Sequence, residues 1–387
     1  MPLANPLPKN PKVVAADAPS GPAYLEQLRA IGVDAGLHTV GVAPATPMHR
    51  ALAQLHDRQE RGLVNDMKFT YLRPERSTNP GAHVEGAQSV IVGVRSYAIA
   101  DDDVTGIAPS SPLARIAKYA WVDHYAHLKD SLSIVAAKLR TDGHRAVVFA
   151  DDNAMVDRET AWLAGIGWYG HNANILLPGH GSFFVIGCVV TTAVLPIGEP
   201  IADGCGTCNR CVPACPTNAI VEHGVIDANK CLSWLLQKPG IFDERYRIAL
   251  GDRIYGCDDC QTVCPPTRRG PSIESSDELQ KKVDVLDWLQ FDDVTLNSMC
   301  SRWYVHNRNM TWIRRNLLIV LGNVADPSDA RVVETVRRYV SHELPELRAH
   351  AVWAASRLGL GALINPADNH ELVRNERAHL PALRDDL

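Results

Sequence analysis

The stretch CGTCNRCVPACP (Cys205 to Pro216), answered downstream by Cys231 and by CDDCQTVCP (Cys257 to Pro265), decides how this chain is organised. The first run has the spacing C-x2-C-x2-C-x3-C-P, and the second repeats its x2/x3 part with Cys231 as a displaced first ligand. A four-iron cubane presents four iron corners, and two-residue gaps let a tight turn bring successive sulfurs to adjacent corners. In this pattern three cysteines hold one cubane and the fourth reaches across to the other. One cluster then falls on Cys205, Cys208, Cys211 and Cys264, the second on Cys215, Cys231, Cys257 and Cys260, with none of the eight left over. Paired C-x-x-C units also build tetrahedral zinc sites. Zinc, however, does not need a three-cysteine run, a crossed fourth ligand, or proline after both copies.

Working outward, 387 residues exceed what one core supports, so two or three domains are expected. Hydrophobic residues at 46% and charged residues at 21% exclude wholesale disorder and fibrous or coiled-coil repeats. A net charge of −5 means that any binding of nucleic acid depends on a local basic surface. Residues 1–22 are rich in Pro and Ala, without a basic start or an apolar run, and read as a flexible leader rather than a signal peptide. No stretch approaches the ~20 apolar residues of a membrane span. Closely spaced cysteines without an export signal point to a reducing, cytoplasmic setting and to metal rather than disulfides.

Residues 23–196 alternate between helical and extended patterns. Gln88–Val94, Ala146–Ala150 and Phe183–Thr192 read as buried strands, and Tyr125, Leu128, Leu132, Val135, Ala136 and Leu139 share one face of a helix. Residues 197–270 carry eight of the ten cysteines among Gly, Pro, Asp and Asn, a ferredoxin-like composition whose order depends on metal. Cys188 and Cys300 read as buried small hydrophobes. In residues 271–387, Ile313–Leu321 and Leu347–Ala355 resemble each other around a helical Ala330–Val340, as in stacked helix pairs. The fold class expected is therefore α+β: an α/β domain, a ferredoxin-like two-cluster domain and an α-helical, HEAT-like tail.

Over nearly its whole length the chain resembles the epoxyqueuosine reductase family. The resemblance is carried by DDNAMVDRETAWLAGIGWYGHNANI (Asp151–Ile175), GSFFVIG (Gly181–Gly187), the first cysteine run, CLSWLLQKPG (Cys231–Gly240) and YGCDDCQTVCP (Tyr255–Pro265). It implies a monomeric reductase that binds cobalamin in a domain similar to that of reductive dehalogenases. Two 4Fe-4S clusters would feed that cofactor from an external low-potential electron donor, and the substrate would be the epoxide of a modified wobble base in a tRNA anticodon loop. Cobalamin is implied by the resemblance alone, since the D-x-H-x-x-G signature is absent. The resemblance makes Asp151 the proton donor, where the residues alone would also allow Asp151, Asp152 and Asn153 to cap a helix near Ala154. It likewise implies Arg76, Asp151, Ile175, Ile186, Ser233 and Gln237 as cofactor contacts. His124, Tyr125 and Ala126 stand where the family has D-Y-H, His171 where it has Lys, Cys188 where it has Glu, and Pro266 where it has Trp or Leu. These departures bear on the shape of the pocket.

Between Val294 and Ala325 there is no Asp or Glu, while Arg302, Arg308, Arg314 and Arg315 interleave with Trp303, Tyr304, His306 and Trp312. Guanidinium groups on phosphates and rings stacked on bases would suit an RNA loop, and an ordinary helical face with aromatic core residues has the same composition. Two other functions share the cysteine pattern: a dehalogenase-like corrinoid reductase and a multidomain electron carrier.

Overall fold

The structure is a computed structural model that describes residues 8–100, 111–274 and 278–385. It divides into two compact units: Met1–Ala100 with Asp123–Asn229 and Asp259–Glu274, and Asp101–Val122 with Lys230–Asp258 and Ser275–Leu387.

The first unit is built on a four-stranded sheet of β1 (Thr39–Pro44), β2 (Ser89–Ser96), β3 (Ala146–Ala150) and β4 (Phe184–Thr191), ordered β1-β2-β4-β3. Every pairing is antiparallel. Three of these strands match the apolar runs in the sequence; β1, a short TVGVAP run broken by Gly41, was not among them. All eight residues of β4 are buried, which is why FVIGCVVT reads as unbroken apolar sequence rather than an alternation.

Against the sheet lie α1 (Gly21–Asp34) and α3 (His124–Thr141); α2 (Pro74–Ser77) and α4 (Asp157–Leu163) belong to the same unit. Asp123 caps α3 by accepting the Ala126 N–H at 2.9 Å, and Leu128, Leu132, Val135, Ala136 and Leu139 on its inner face are fully buried. Gly93 of β2 and Gly187 of β4 are register partners. A Cβ on either would lie under 3.0 Å from a Leu132 methyl, so the paired glycines form the seat for that side chain. Truncating Leu132 to Ala would cost about 2–5 kcal/mol.

The leader departs from expectation. Residues 1–7 lie outside the described residues, but 8–20 are tied to the chain around β3. Asn10 accepts the Ala146 N–H at 2.8 Å, Ala15 N–H reaches Gly143 at 3.1 Å, and Arg145 and His144 donate to the carbonyls of Lys12 and Pro19. These partners are more than a hundred residues away in sequence, and composition does not reveal them.

The second unit holds α5 (Thr311–Val324), α6 (Ala330–Val340) and α7 (Pro345–Arg357), at the three helical segments read from sequence, with α7 packed on both others. A three-stranded sheet joins Leu113–Ile116, Arg253–Tyr255 and Lys282–Asp284. Within the stretch 197–270, Lys230–Asp258 packs with the helices of the second unit. Polar side chains of α5 explain why. Asn316 donates to Leu236 and Ile254 carbonyls at 2.9 and 3.0 Å, and Asn323 to Arg247 and Gly251 carbonyls at 2.8 and 3.1 Å. A buried two-pronged Arg247–Glu376 ion pair, at 2.6 and 3.0 Å, adds a further tie.

Candidate functional site

Cys205, Cys208, Cys211 and Cys264 all lie in the first unit, each half-buried. Burial pushes the Cys211 thiol up, and the charges of Cys205, Cys264 and Cys208 push it further; Cys264 is raised by burial and by Cys205 and Cys208. Thiolate charge gathered among these residues is unfavourable unless a cationic centre neutralises it, which is what a cubane supplies. None of the ten cysteines is in a disulfide. The Cys208 N–H closes a turn on the Cys205 carbonyl at 3.0 Å. Cys215 Sγ accepts the Ala219 N–H at 3.2 Å.

Two residues not singled out as ligands hold this frame together. His171 bonds through Nδ1 to the Cys208 carbonyl at 2.9 Å, and Asn172 donates to the Cys260 carbonyl at 3.1 Å, so adjacent residues grip both cysteine runs. The His171 ring stacks on His223 with centroids 3.6 Å apart. The second run is also tied to the strands: Tyr97 and Ser182 both donate to Gln261 Oε1, at 3.2 and 3.1 Å, and Ser182 N–H donates to Thr267. The position of His171 after GIGWYG was visible as a departure, but its partner was not.

Of the expected second ligand set, Cys215 and Cys260 lie in the first unit and Cys231 and Cys257 in the second. Cys231 precedes the short helix Leu232–Leu235, its carbonyl taking the N–H groups of Trp234 and Leu235 at 3.0 Å. Cys257 follows Gly256, whose φ of +69° and close approach to Ala117 and Tyr119 exclude any side chain. Asp258 then accepts the Lys118 N–H at 2.9 Å.

Asp151 sits one residue past β3, exposed, with a left-handed φ of 51° that Asp tolerates better than most residues. Burial of the surroundings raises its pKa, and the carboxylates of Asp157, Asp123 and Asp152 raise it further. Asp157 is itself raised, chiefly by burial, with Arg158 opposing. The Tyr125 phenol faces the same group and is pushed up by burial, Asp157 and Asp151. Capping is divided as the residues allow: Asp152 takes the Ala154 N–H at 2.8 Å, and the Asp151 side chain makes no hydrogen bond among the described residues. The helix expected near Ala154 begins only at Asp157, because Met155 turns into the core. The structure thus sets an acid of raised pKa near a phenol and further carboxylates, an arrangement suited to general acid catalysis.

The other expected contacts are distributed. Arg76 is exposed on α2, and its guanidinium has no partner among the described residues. The side chains of Ile175 and Ile186 belong to the hydrophobic cluster that contains Met155 and Phe149. Ser233 and Gln237 are half-buried in the second unit. Cys188 and Cys300 are buried.

The arginines expected to meet RNA all make hydrogen bonds within the protein. Arg315 is 1% exposed and donates to the carbonyls of Lys238 and Gly240 at 2.7 and 2.8 Å and of Leu235 at 3.2 Å. Burial, with the charge of Arg247, pushes its pKa down to about 9. Arg302 donates to Ala120 and Gln280, and Arg308 to the Trp303 carbonyl at 2.8 Å and to Asn297 at 2.9 Å. Arg314 pairs with Asp293 and the Phe291 carbonyl. Trp303 is buried, stacked on Tyr255 at 4.5 Å. All four guanidinium groups are engaged within their own unit, because the backbone around them leaves carbonyls that helix and strand do not satisfy.

The profile of a 4Fe-4S double cluster binding domain matches residues 204–267. Epoxyqueuosine reductase of Vibrio cholerae is 30% identical over 340 residues, spanning 85% of this chain and 90% of the relative. The chain belongs to the epoxyqueuosine reductase family. A crystal structure of an epoxyqueuosine reductase with an epoxyqueuosine-modified tRNA-Tyr stem loop superposes with a TM-score of 0.84 at 23% identity, over 92% of this chain and 97% of that one. The Bacillus subtilis epoxyqueuosine reductase, in a structure with its aspartate catalytic loop swung out of the active site, gives 0.82 at 22% identity over 94% and 99%. The mixed helix and strand architecture is therefore that of epoxyqueuosine reductases along nearly the whole chain. Among the described residues no helix is long and apolar enough to cross a membrane.

Proposed function

We propose that this chain reduces epoxyqueuosine to queuosine at the wobble position of tRNA, in the cytoplasm and as a monomer. Removing the epoxide oxygen takes two electrons and two protons and releases water. The electrons would enter from an external low-potential donor and pass one at a time through two 4Fe-4S clusters, on Cys205, Cys208, Cys211 and Cys264 and on Cys215, Cys231, Cys257 and Cys260. Cobalamin, when bound, supplies a low-valent cobalt able to act on the epoxide carbon. The residues available to hold it are Arg76, whose exposed guanidinium has no partner among the described residues, Ile175 and Ile186, and the half-buried polar side chains of Ser233 and Gln237. Asp151 would give a proton to the departing oxygen.

The observation that carries this reading is the placement of Asp151: in a chain of this family, it is an exposed acid one residue past β3, held at a left-handed φ of 51°. Burial around it, and then the carboxylates of Asp157, Asp123 and Asp152, raise its pKa, the direction a proton donor needs. The Tyr125 phenol, whose pKa burial and the charges of Asp157 and Asp151 raise, is a second candidate donor.

The test is anaerobic purification with iron, sulfide and cobalt analysis, followed by turnover of tRNA bearing the epoxide. About eight irons per chain, stoichiometric cobalt and conversion to queuosine are expected. Iron well below that level, or loaded protein that leaves the epoxide intact, would contradict the proposal.

A further inference from the structure

The segment that carries Asp151 between β3 and α4 is held at two points by one residue of another element. Ser77, the last residue of α2 and 3% exposed, donates through Oγ to the Asn153 carbonyl at 2.7 Å, and its own carbonyl accepts the Val156 N–H at 3.2 Å. Met155 between them is anchored in the hydrophobic cluster. The Ser77 hydroxyl has a second acceptor, the Arg73 carbonyl one helical turn back, at 3.1 Å. A hydroxyl carries one proton, so the two acceptors compete, and the shorter contact favours Asn153. Donation to the carbonyl four residues back is the ordinary resting state of a helical serine. The proton therefore has a partner whether the Asp151 segment is docked or released, and release leaves no buried donor unsatisfied.

From this geometry we infer that Ser77 is a positioning residue: a two-position latch that sets where the Asp151 carboxyl stands, on the same short helix that offers Arg76. The inference rests on Asp151 being the proton donor. Ser77→Ala removes the hydroxyl and keeps the backbone bond to Val156.

The test is hydrogen exchange at residues 152–156 of the cluster-loaded protein, with turnover measured on epoxide-bearing tRNA. One net hydrogen bond corresponds to roughly five-fold faster exchange in Ser77→Ala. With it, kcat should fall about ten-fold, the size of effect that misplacing a catalytic group produces, while KM and iron content stay unchanged. Ser77→Thr, which restores the hydroxyl, should recover both. Wild-type exchange in Ser77→Ala overturns the latch, and faster exchange with undiminished kcat overturns its role in positioning. Should Ser77→Ala fail to load its clusters, Ser77→Cys, of similar size and a weaker donor, carries the same test, and wild-type exchange there overturns the latch. The exchange readout does not depend on what Asp151 does. Asp151→Asn with normal turnover would instead sink the proton-donor reading while the exchange result stood.

Discussion

Two regions looked chemically active in the sequence, and they meet opposite ends in the structure. The Asp151 segment offers one acid among several, yet its electrostatic neighbours are other carboxylates and the half-buried Tyr125 phenol, and its side chain makes no hydrogen bond among the described residues. The stretch from Val294 to Ala325 offers four arginines without an acid, yet each guanidinium is engaged by groups of its own unit. Residue type marks a candidate; what satisfies its hydrogen bonds decides whether any capacity remains for a ligand.

The contrast can be broken most forcefully at Arg315. Its removal would strand carbonyls of Leu235, Lys238 and Gly240 in the interior, at a cost of about 3 kcal/mol or more. Arg315→Ala should therefore lower the denaturation midpoint sharply, read by circular dichroism in urea. A stable variant with weakened affinity for tRNA would restore the surface reading.

Asp151→Asn probes the other side through stability. An aspartate whose folded pKa lies above its unfolded value binds more protons folded than unfolded in the window between the two. Stability is then fully present below the unfolded value and is lost as pH rises through the folded one. At neutral pH the asparagine variant, free of that penalty, should melt higher, by roughly 1–3 °C, and the difference should vanish in acid. A lower melting point at neutral pH would show that Asp151 is a structural anchor. Smallest is Arg314→Ala: its partner Asp293 is 73% exposed, so the pair is worth about 1 kcal/mol or less, and a larger loss would place Arg314 with Arg315.

What could be read from sequence follows from how local the cause is. Ligand spacing and strand burial operate over a few residues, so the cysteine runs and the strands at Ala146–Ala150 and Phe184–Thr191 emerge directly. The helices Ala330–Val340 and Thr311–Val324 emerge for the same reason. Residues 8–20 did not, because their bonds run to β3 across more than a hundred residues. Arg315 did not, because ten of the fourteen residues of α5 are buried and no apolar stripe separates an inner from an outer face. Ser77, His171 and Asn172 act through backbone carbonyls, which leave no trace in the identity of their partners.

The account turns on one carboxyl giving a proton to the oxygen that leaves. Single-turnover rates on epoxide-bearing tRNA, at saturating enzyme, compare wild type and Asp151→Asn with equal iron, sulfide and cobalt content. The expected result is a fall of about 100-fold or more with unchanged tRNA affinity. Equal rates would remove Asp151 from the reaction.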